Sequence, residues 1–155
     1  MPNPSPLEKY KPTSDDFEFR QYPFYWLMKT SNRYSQEMES RLKLMGVNIT
    51  NWRIGLILKH YGSISMTEIS QHAVTRLPTV NKSVYSMQDQ GLVSVSRSET
   101  DARVTMVRIT DKGLETVEKL IQNTSKIVDR AYLGFSEKEI HTLNQLLQRL
   151  YDNLS

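Results

Sequence analysis

From about residue 15 to the C-terminus, apolar residues recur at helical spacing except over one stretch near residue 100, where they alternate. In the first long segment Tyr25, Met28, Asn32, Ser35 and Met38 line one stripe, and Leu27, Tyr34, Met38, Leu42 and Met45 another; Gly46 then stands where a glycine favours helix termination. Over residues 50–61, Ile54, Ile57, Leu58 and Tyr61 repeat at i, i+3, i+4 and i+7, with Thr50 or Asn51 as the predicted cap and Gly62 as the stop. A short third helix is predicted over residues 67–73, with Ile69 and Ala73 four apart. A fourth starts near Pro78, turns Val80, Val84 and Met87 inward, and ends at Gly91.

The period then changes. Leu92, Val93 and Val95 give way to a polar run over residues 96–103. Val104, Met106 and either Val107 or Ile109 follow in alternation, which predicts a hairpin with a long polar tip. Thr110-Asp111 opens a long helix carrying Leu114, Val117, Ile121 and Val128, interrupted at Gly134. Ser136 with Glu139 has the capping-box form, and Ile140, Leu143, Leu147, Leu150 and Leu154 follow close to a heptad seam. Three short helices and a hairpin make the winged helix-turn-helix pattern. The fold class expected is mainly α with a small β-hairpin wing, flanked by N- and C-terminal dimerisation helices, because a small winged domain cannot cover the long apolar stripes and a two-fold partner can. Residues 1–14, with Pro2, Pro4, Pro6 and Pro12, read as a loose arm. Residues 15–155 read as a single unit, with dimerisation helices at about 15–46 and 111–155 and the winged part at about 50–110. Ile140, Leu143, Leu147 and Leu150 are the dimerisation candidates.

In a helix-turn-helix the second helix enters the major groove with its first turns on the base edges. Thr79, Asn81, Lys82 and Tyr85 point away from the Val80, Val84, Met87 stripe, and Arg76 precedes them. Asn pairs bidentately with adenine, Arg or Lys with guanine, and amides at a helix start hold phosphate. At the hairpin tip, Arg97, Asp101 and Arg103 are the candidates. A carboxylate two residues before an arginine braces the guanidinium, and an arginine suits the negative potential of a narrow minor groove. The plain alternative for each position is a solvated polar face.

Composition narrows the classes. The 155 residues contain no cysteine, which excludes disulfides, thiolate metal sites and thiol sensing. The longest aliphatic run, over residues 54–58, is far short of a membrane span. The N-terminus lacks the basic and apolar regions of a signal peptide, so a cytoplasmic location is expected. Net charge is +3, which allows an anionic partner. His60, His72 and His141 lie on separate predicted elements, so no metal site is expected. No Ser-His-Asp spacing or glycine-rich phosphate loop appears, so neither an enzyme nor a cofactor is expected.

Residues 66–110 resemble the MarR-type bacterial transcription regulators. The matching pieces are Thr67-Glu68-Ile69, Thr79-Val80, Lys82, Val84, Gly91-Leu92-Val93, Asp101 with Arg103, and Ile109-Thr110-Asp111-Lys112-Gly113; Asn51-Trp52-Arg53-Ile54 and the terminal helices also fit, so that the likeness covers about residues 20–152. The resemblance implies a triangular homodimer with interleaved terminal helices, and recognition helices and wings that straddle a pseudo-palindromic operator in double-stranded DNA. It places Thr79, Asn81 and Lys82 on the recognition helix, Asp101 and Arg103 on the wing, and Arg103 in the minor groove. One departure is charge. Residues 74–108 carry five cations and three carboxylates, a balance of +2, which implies modest non-specific affinity.

The resemblance also implies repression relieved by a small aromatic or anionic molecule bound between dimer helices and winged domain. Tyr22, Tyr25, Trp26, Lys29, Arg33, Trp52 and Arg53 offer stacking faces beside cations, which suits an aromatic carboxylate or an aryl thioester; the alternatives are that the rings simply pack together and that Arg53 pairs with Glu68. Two other functional readings stay open, a dimeric helical interaction protein without DNA binding and a ligand-independent regulator.

Overall fold

The computed structural model describes residues 7–155. Its helices are α1 (Pro23–Lys43), α2 (Ile49–Tyr61), α3 (Met66–His72), α4 (Leu77–Asp89), α5 (Asp111–Ala131) and α6 (Glu137–Asp152), and its strands β1 (Ser63–Ser65), β2 (Val93–Arg97) and β3 (Thr105–Ile109). Where one unit is expected over 15–155, the chain groups into two compact units, one running to Thr124 and one of Ser125–Ser155. Of the expected loose arm, residues 1–6 lie outside the described residues. Residues 7–14 are turned, with a 3₁₀ helix at Glu8–Tyr10 and a Lys11–Glu8 ion pair of 2.7 Å.

In the first unit the core is Ile54 and Leu58 of α2, Ile64, Met66 and Ile69, Val80, Val84 and Met87 of α4, and Val93 and Val107 of the sheet. The α4 residues are those the periodicity turns inward, and Pro78 lies in that helix's first turn as expected. The hairpin gains a strand that the sequence pattern does not announce. β1 pairs antiparallel with β3, giving the order β1-β3-β2, with Ile64 and Val95 both opposite Val107. Thr105, Val107 and Ile109 therefore share the inner face of β3, and Met106 lies on the other face rather than in the core alternation.

Three local expectations are corrected. The cap of α2 is neither Thr50 nor Asn51 but Asn48, whose side chain accepts from the Asn51 N–H at 2.8 Å. α3 opens at Met66 through a capping box. The Glu68 N–H donates to Ser65 Oγ (3.2 Å), and the Glu68 carboxylate accepts from the Ser65 N–H (2.8 Å) and hydroxyl (2.6 Å). These bonds, the Ser65 hydroxyl first, hold the Glu68 carboxyl below the usual carboxylate range. They also occupy the carboxylate that the sequence offers to Arg53. Ser65→Ala is expected to cost about 0.5–2 kcal/mol in urea unfolding, the usual range for a lost N-cap; the same midpoint as the parent protein would show the cap to be idle.

The third correction concerns α5. Its buried residues are Gly113, Val117, Leu120 and Thr124, so that of the expected stripe only Val117 faces the core, while Leu114, Ile121 and Val128 stay half-buried on another face. Thr124 is accommodated because its hydroxyl donates to the Leu120 carbonyl at 2.8 Å. α5 lies so close to α2 that a Cβ on Gly55 would stand 2.7 Å from Val117 Cγ2. Lys59–Glu118 (2.9 Å) and Arg41 Nε to the Asn123 carbonyl (3.2 Å) add polar ties.

In the second unit, Gly134 turns the chain at φ +82° and Ser136 and Glu139 form the expected capping box. No residue of α6 is buried: Leu143 and Leu146 are more than two-fifths exposed, and Ile140, Leu147 and Leu150 are intermediate.

Candidate nucleic-acid interface

Packing of β2 and α3 against α4 leaves one side of α4 facing solvent. Arg76, Thr79, Lys82 and Tyr85 are exposed there, Tyr85 by half of its surface. Asn81 is only half-buried rather than free, which narrows its reach compared with its neighbours. The start of the helix differs from expectation in one respect. Arg76 supplies no side-chain cap, Pro78 has no N–H, and the amides of Thr79 and Val80 already donate to the Arg76 carbonyl at 3.0 and 3.1 Å. Few amides are left there to hold an anion.

The hairpin tip is tightly organised. The Ser98 N–H donates to the Val104 carbonyl (2.8 Å), and Ser98 Oγ accepts from the amides of Thr100 (3.3 Å) and Asp101 (3.4 Å). The Asp101 carboxylate accepts from the Arg103 amide (3.0 Å), Nε (3.1 Å) and Nη2 (3.1 Å), a forked grip on the guanidinium. These bonds, the side-chain ones first, hold the Asp101 carboxyl below the usual carboxylate range, so the grip persists on acidification until that lowered titration is reached. The Arg103 side chain is 91% exposed while so held: an aimed, solvent-facing cation at the tip.

Arg97 behaves otherwise. Its Nη1 donates to the Ala102 carbonyl across the tip at 2.6 Å, so this exposed residue also braces the loop that carries Arg103. Ser98 was not singled out as a functional residue. The only signal was a serine opening a turn, a common pattern.

The ligand candidates are largely engaged with neighbouring groups of the chain. Phe17, Phe19, Tyr22, Phe24, Tyr25 and Trp26 stack edge-on or tilted on one another at 4.6–6.4 Å, and Trp26 Nε1 donates to the Arg20 carbonyl at 2.7 Å. Lys29 Nζ lies over the rings of Tyr25 and Trp26 and bonds the Tyr25 hydroxyl, so its charge is already engaged. Arg33 pairs with Glu37 at 2.8 Å. Trp52 is only 5% exposed, a core ring rather than a stacking face, and Arg53 beside it is half-buried. A separate open cleft of about 410 Å³ is lined by Glu39, Lys43, Gly46, Val47, Asn48 and Ile49, none of them a ligand candidate. His72 stacks on Tyr61 next to His60, and among the described residues no group of three or more His, Asp or Glu is placed to hold a metal ion. Among the described residues no helix is long and apolar enough to cross a membrane.

Comparison with known proteins gives a consistent result. The model of the MarR family matches residues 47–105. The chain is 39% identical over 145 residues to the HTH-type transcriptional repressor IacR of Pseudomonas putida, covering 94% of this chain and 87% of that protein. A MarR-family transcriptional regulator from Silicibacter pomeroyi superposes with a TM-score of 0.82 at 19% identity, covering 89% of this chain and 93% of that one. BpsR of Bordetella bronchiseptica, whose DNA binding is regulated by 6-hydroxynicotinic acid, superposes at 0.73 with 18% identity, covering 88% and 97%.

Proposed function

Because this chain belongs to the MarR family of transcriptional regulators, we propose that it represses transcription by gripping a pseudo-palindromic operator as a homodimer and lets go when a small aromatic or anionic molecule binds. The observation that carries the DNA half of this reading is the wing tip. An arginine that is both nine-tenths exposed and fixed by a three-bond carboxylate grip has lost its freedom without having been neutralised by burial. Such a pre-positioned cation suits a minor groove, on a sheet that also packs against the helix bearing Thr79, Lys82 and Tyr85.

Repression is supported by the similarity to IacR, a repressor along nearly its whole length. Two-fold pairing is supported by the uncovered stripe of α6, where Ile140, Leu143, Leu147 and Leu150 recur at 3-4-3 spacing. Pairing sets two recognition helices about one DNA turn, roughly 34 Å, apart. A ligand that favours another separation then releases the operator, with a coupling of about 1–3 kcal/mol. BpsR supports an aromatic acid as the class of ligand.

Titrating the protein onto duplexes recovered by selection from a random library, at two salt concentrations, tests the first half. A steep fall in affinity with salt and a recovered inverted repeat are expected, whereas an interaction protein without DNA affinity yields neither. Arg103→Ala is expected to weaken binding to the selected duplex by about 1–3 kcal/mol with the oligomeric state unchanged; retention of full affinity would remove the wing from the interface. Adding 6-hydroxynicotinate or a related aryl carboxylate to the complex tests the second half, the expected result being release of DNA.

A further inference from the structure

Val74, in the turn between α3 and α4, is the one non-glycine residue with a positive φ among the described residues, at +49°, and it is 88% exposed. A β-branched side chain suffers in the left-handed region, where its Cβ crowds the following carbonyl. Nothing relieves the crowding locally, because the backbone on both sides is pinned. The Val74 N–H donates to the Gln71 carbonyl (3.2 Å), the Ala73 N–H to the Ile69 carbonyl (2.8 Å) and the Thr75 N–H to the Ser70 carbonyl (3.1 Å). Ser70 Oγ in turn donates to the Thr75 carbonyl (2.7 Å), and the Thr75 hydroxyl to the Ala73 carbonyl (3.0 Å). The turn thus imposes the conformation whatever the residue, and glycine or asparagine would adopt it at lower cost. Packing does not account for valine either, since its side chain projects almost wholly into solvent.

Two neighbours locate what the isopropyl group meets. Leu77, the first residue of α4, is also exposed, and the exposed Arg76 stands between them. The turn therefore carries an exposed apolar residue directly before the first turns of α4, the part that a major groove would receive in the DNA-binding reading above. Phosphates are held by donors, not by hydrocarbon. The apolar feature that the major groove offers is the C5-methyl of thymine. Resting on the DNA-binding reading above, we propose that Val74 is a specificity-determining residue that packs its isopropyl group on a thymine methyl at the edge of each half-site, and that the backbone strain is retained for that contact.

Deoxyuridine, which differs from thymidine only by that methyl, supplies the test. Each thymine of the selected duplex is replaced in turn by deoxyuridine, and binding is measured for the parent protein, Val74→Gly and Val74→Asn, alongside thermal melting. The parent protein is expected to lose roughly five-fold in affinity at one symmetric position. Both variants are expected to bind the thymine duplex that much more weakly and to show no further loss with deoxyuridine there, the non-additivity of a shared contact. Val74→Asn is expected to melt about 2–4 °C higher than the parent protein as the strain is relieved; Val74→Gly gains less because it also loosens the unfolded chain. A lower melting temperature for Val74→Asn, unchanged affinity of either variant, or an identical deoxyuridine response in all three proteins overturns the proposal. Those outcomes leave DNA binding itself intact, whereas a parent protein for which selection recovers no specific duplex brings down the repressor reading and this one together.

Discussion

Gly113→Ala is expected to destabilise the first unit by at least about 3 kcal/mol, at the upper end of the range for overpacking, although the same change at an ordinary helical site adds up to about 1 kcal/mol of stability. The sign reverses because of what a methyl group would meet. A Cβ at Gly113 would stand 2.0 Å from the Leu92 carbonyl oxygen, 3.0 Å from its carbon and 2.9 Å from Ile109 Cγ1. Two of these three atoms are backbone and cannot rotate aside. Nor can the start of α5 back away. The Gly113 N–H donates to Thr110 Oγ1 (3.0 Å), that hydroxyl donates to the Gly91 carbonyl (2.7 Å), and the Thr110 N–H donates to the Leu92 carbonyl (3.1 Å). Lys112 Nζ reaches the Gln90 carbonyl at 2.7 Å. The junction therefore ties the end of the α4 segment, the start of β2 and the start of α5 in one place, and shifting it displaces the wing. Urea unfolding followed by circular dichroism measures the loss. Gly46→Ala serves as the reference, since at φ +71° it has strain but nothing within 4 Å of the added carbon; its cost should stay near 1–2 kcal/mol. Equal costs at the two sites would mean that the close approach at Leu92 is not the reason for the glycine.

The other large effect is expected from Leu143→Glu combined with Leu147→Glu. Both lie on the α6 stripe that has no cover within the second unit, Leu143 at 43% exposure. In the proposed homodimer, two carboxylates on this seam would oppose their copies across the two-fold axis and remove apolar area at the same time. Sedimentation is expected to report a single copy in place of two, and operator affinity to fall at least a hundred-fold. That fall follows from linkage rather than from any lost DNA contact, because tethering two half-site readers makes the second binding event intramolecular and contributes about 10²–10⁴ in avidity. A variant that sediments as one copy yet holds the selected duplex at parental strength would contradict the requirement for pairing. Circular dichroism showing α6 still helical separates lost pairing from lost folding.

The parts of this molecule legible in advance are those encoded by neighbours in sequence. The inward stripe of α4, the stops at Gly62 and Gly91, the capping box at Ser136 and the brace between Asp101 and Arg103 all depend on residues within about seven positions of each other. The capping box at Ser65 belongs to the same class, with its hydroxyl and Glu68 in plain view, but the apolar pattern starts the helix one residue later and so hides it. The candidate site was legible to the same depth. Which side of α4 faces solvent follows from the periodicity, but that Arg97 also braces the loop depends on a cross-tip bond to Ala102.

Short-range spacing and chain chemistry specify a helix or a turn, so the order and type of the helices, the hairpin, the solvent-facing side of α4 and the Asp101–Arg103 pair can be read from the residues alone. That Ser63–Ser65 joins the sheet emerges only in the folded chain, since a three-residue strand has too few positions to show a period and is stabilised by β3 more than forty residues away. The fold also sets which face of α5 is buried, because Leu120 and Thr124 stand at helical spacing from Val117 just as Leu114 and Ile121 do, and the choice depends on how closely α2 approaches at Gly55. It also decided that Trp52 belongs to the core and that Val74 is held left-handed. Burial and backbone conformation at those positions are set by partners distant in sequence or by the closure of a turn, which no local pattern of residues encodes.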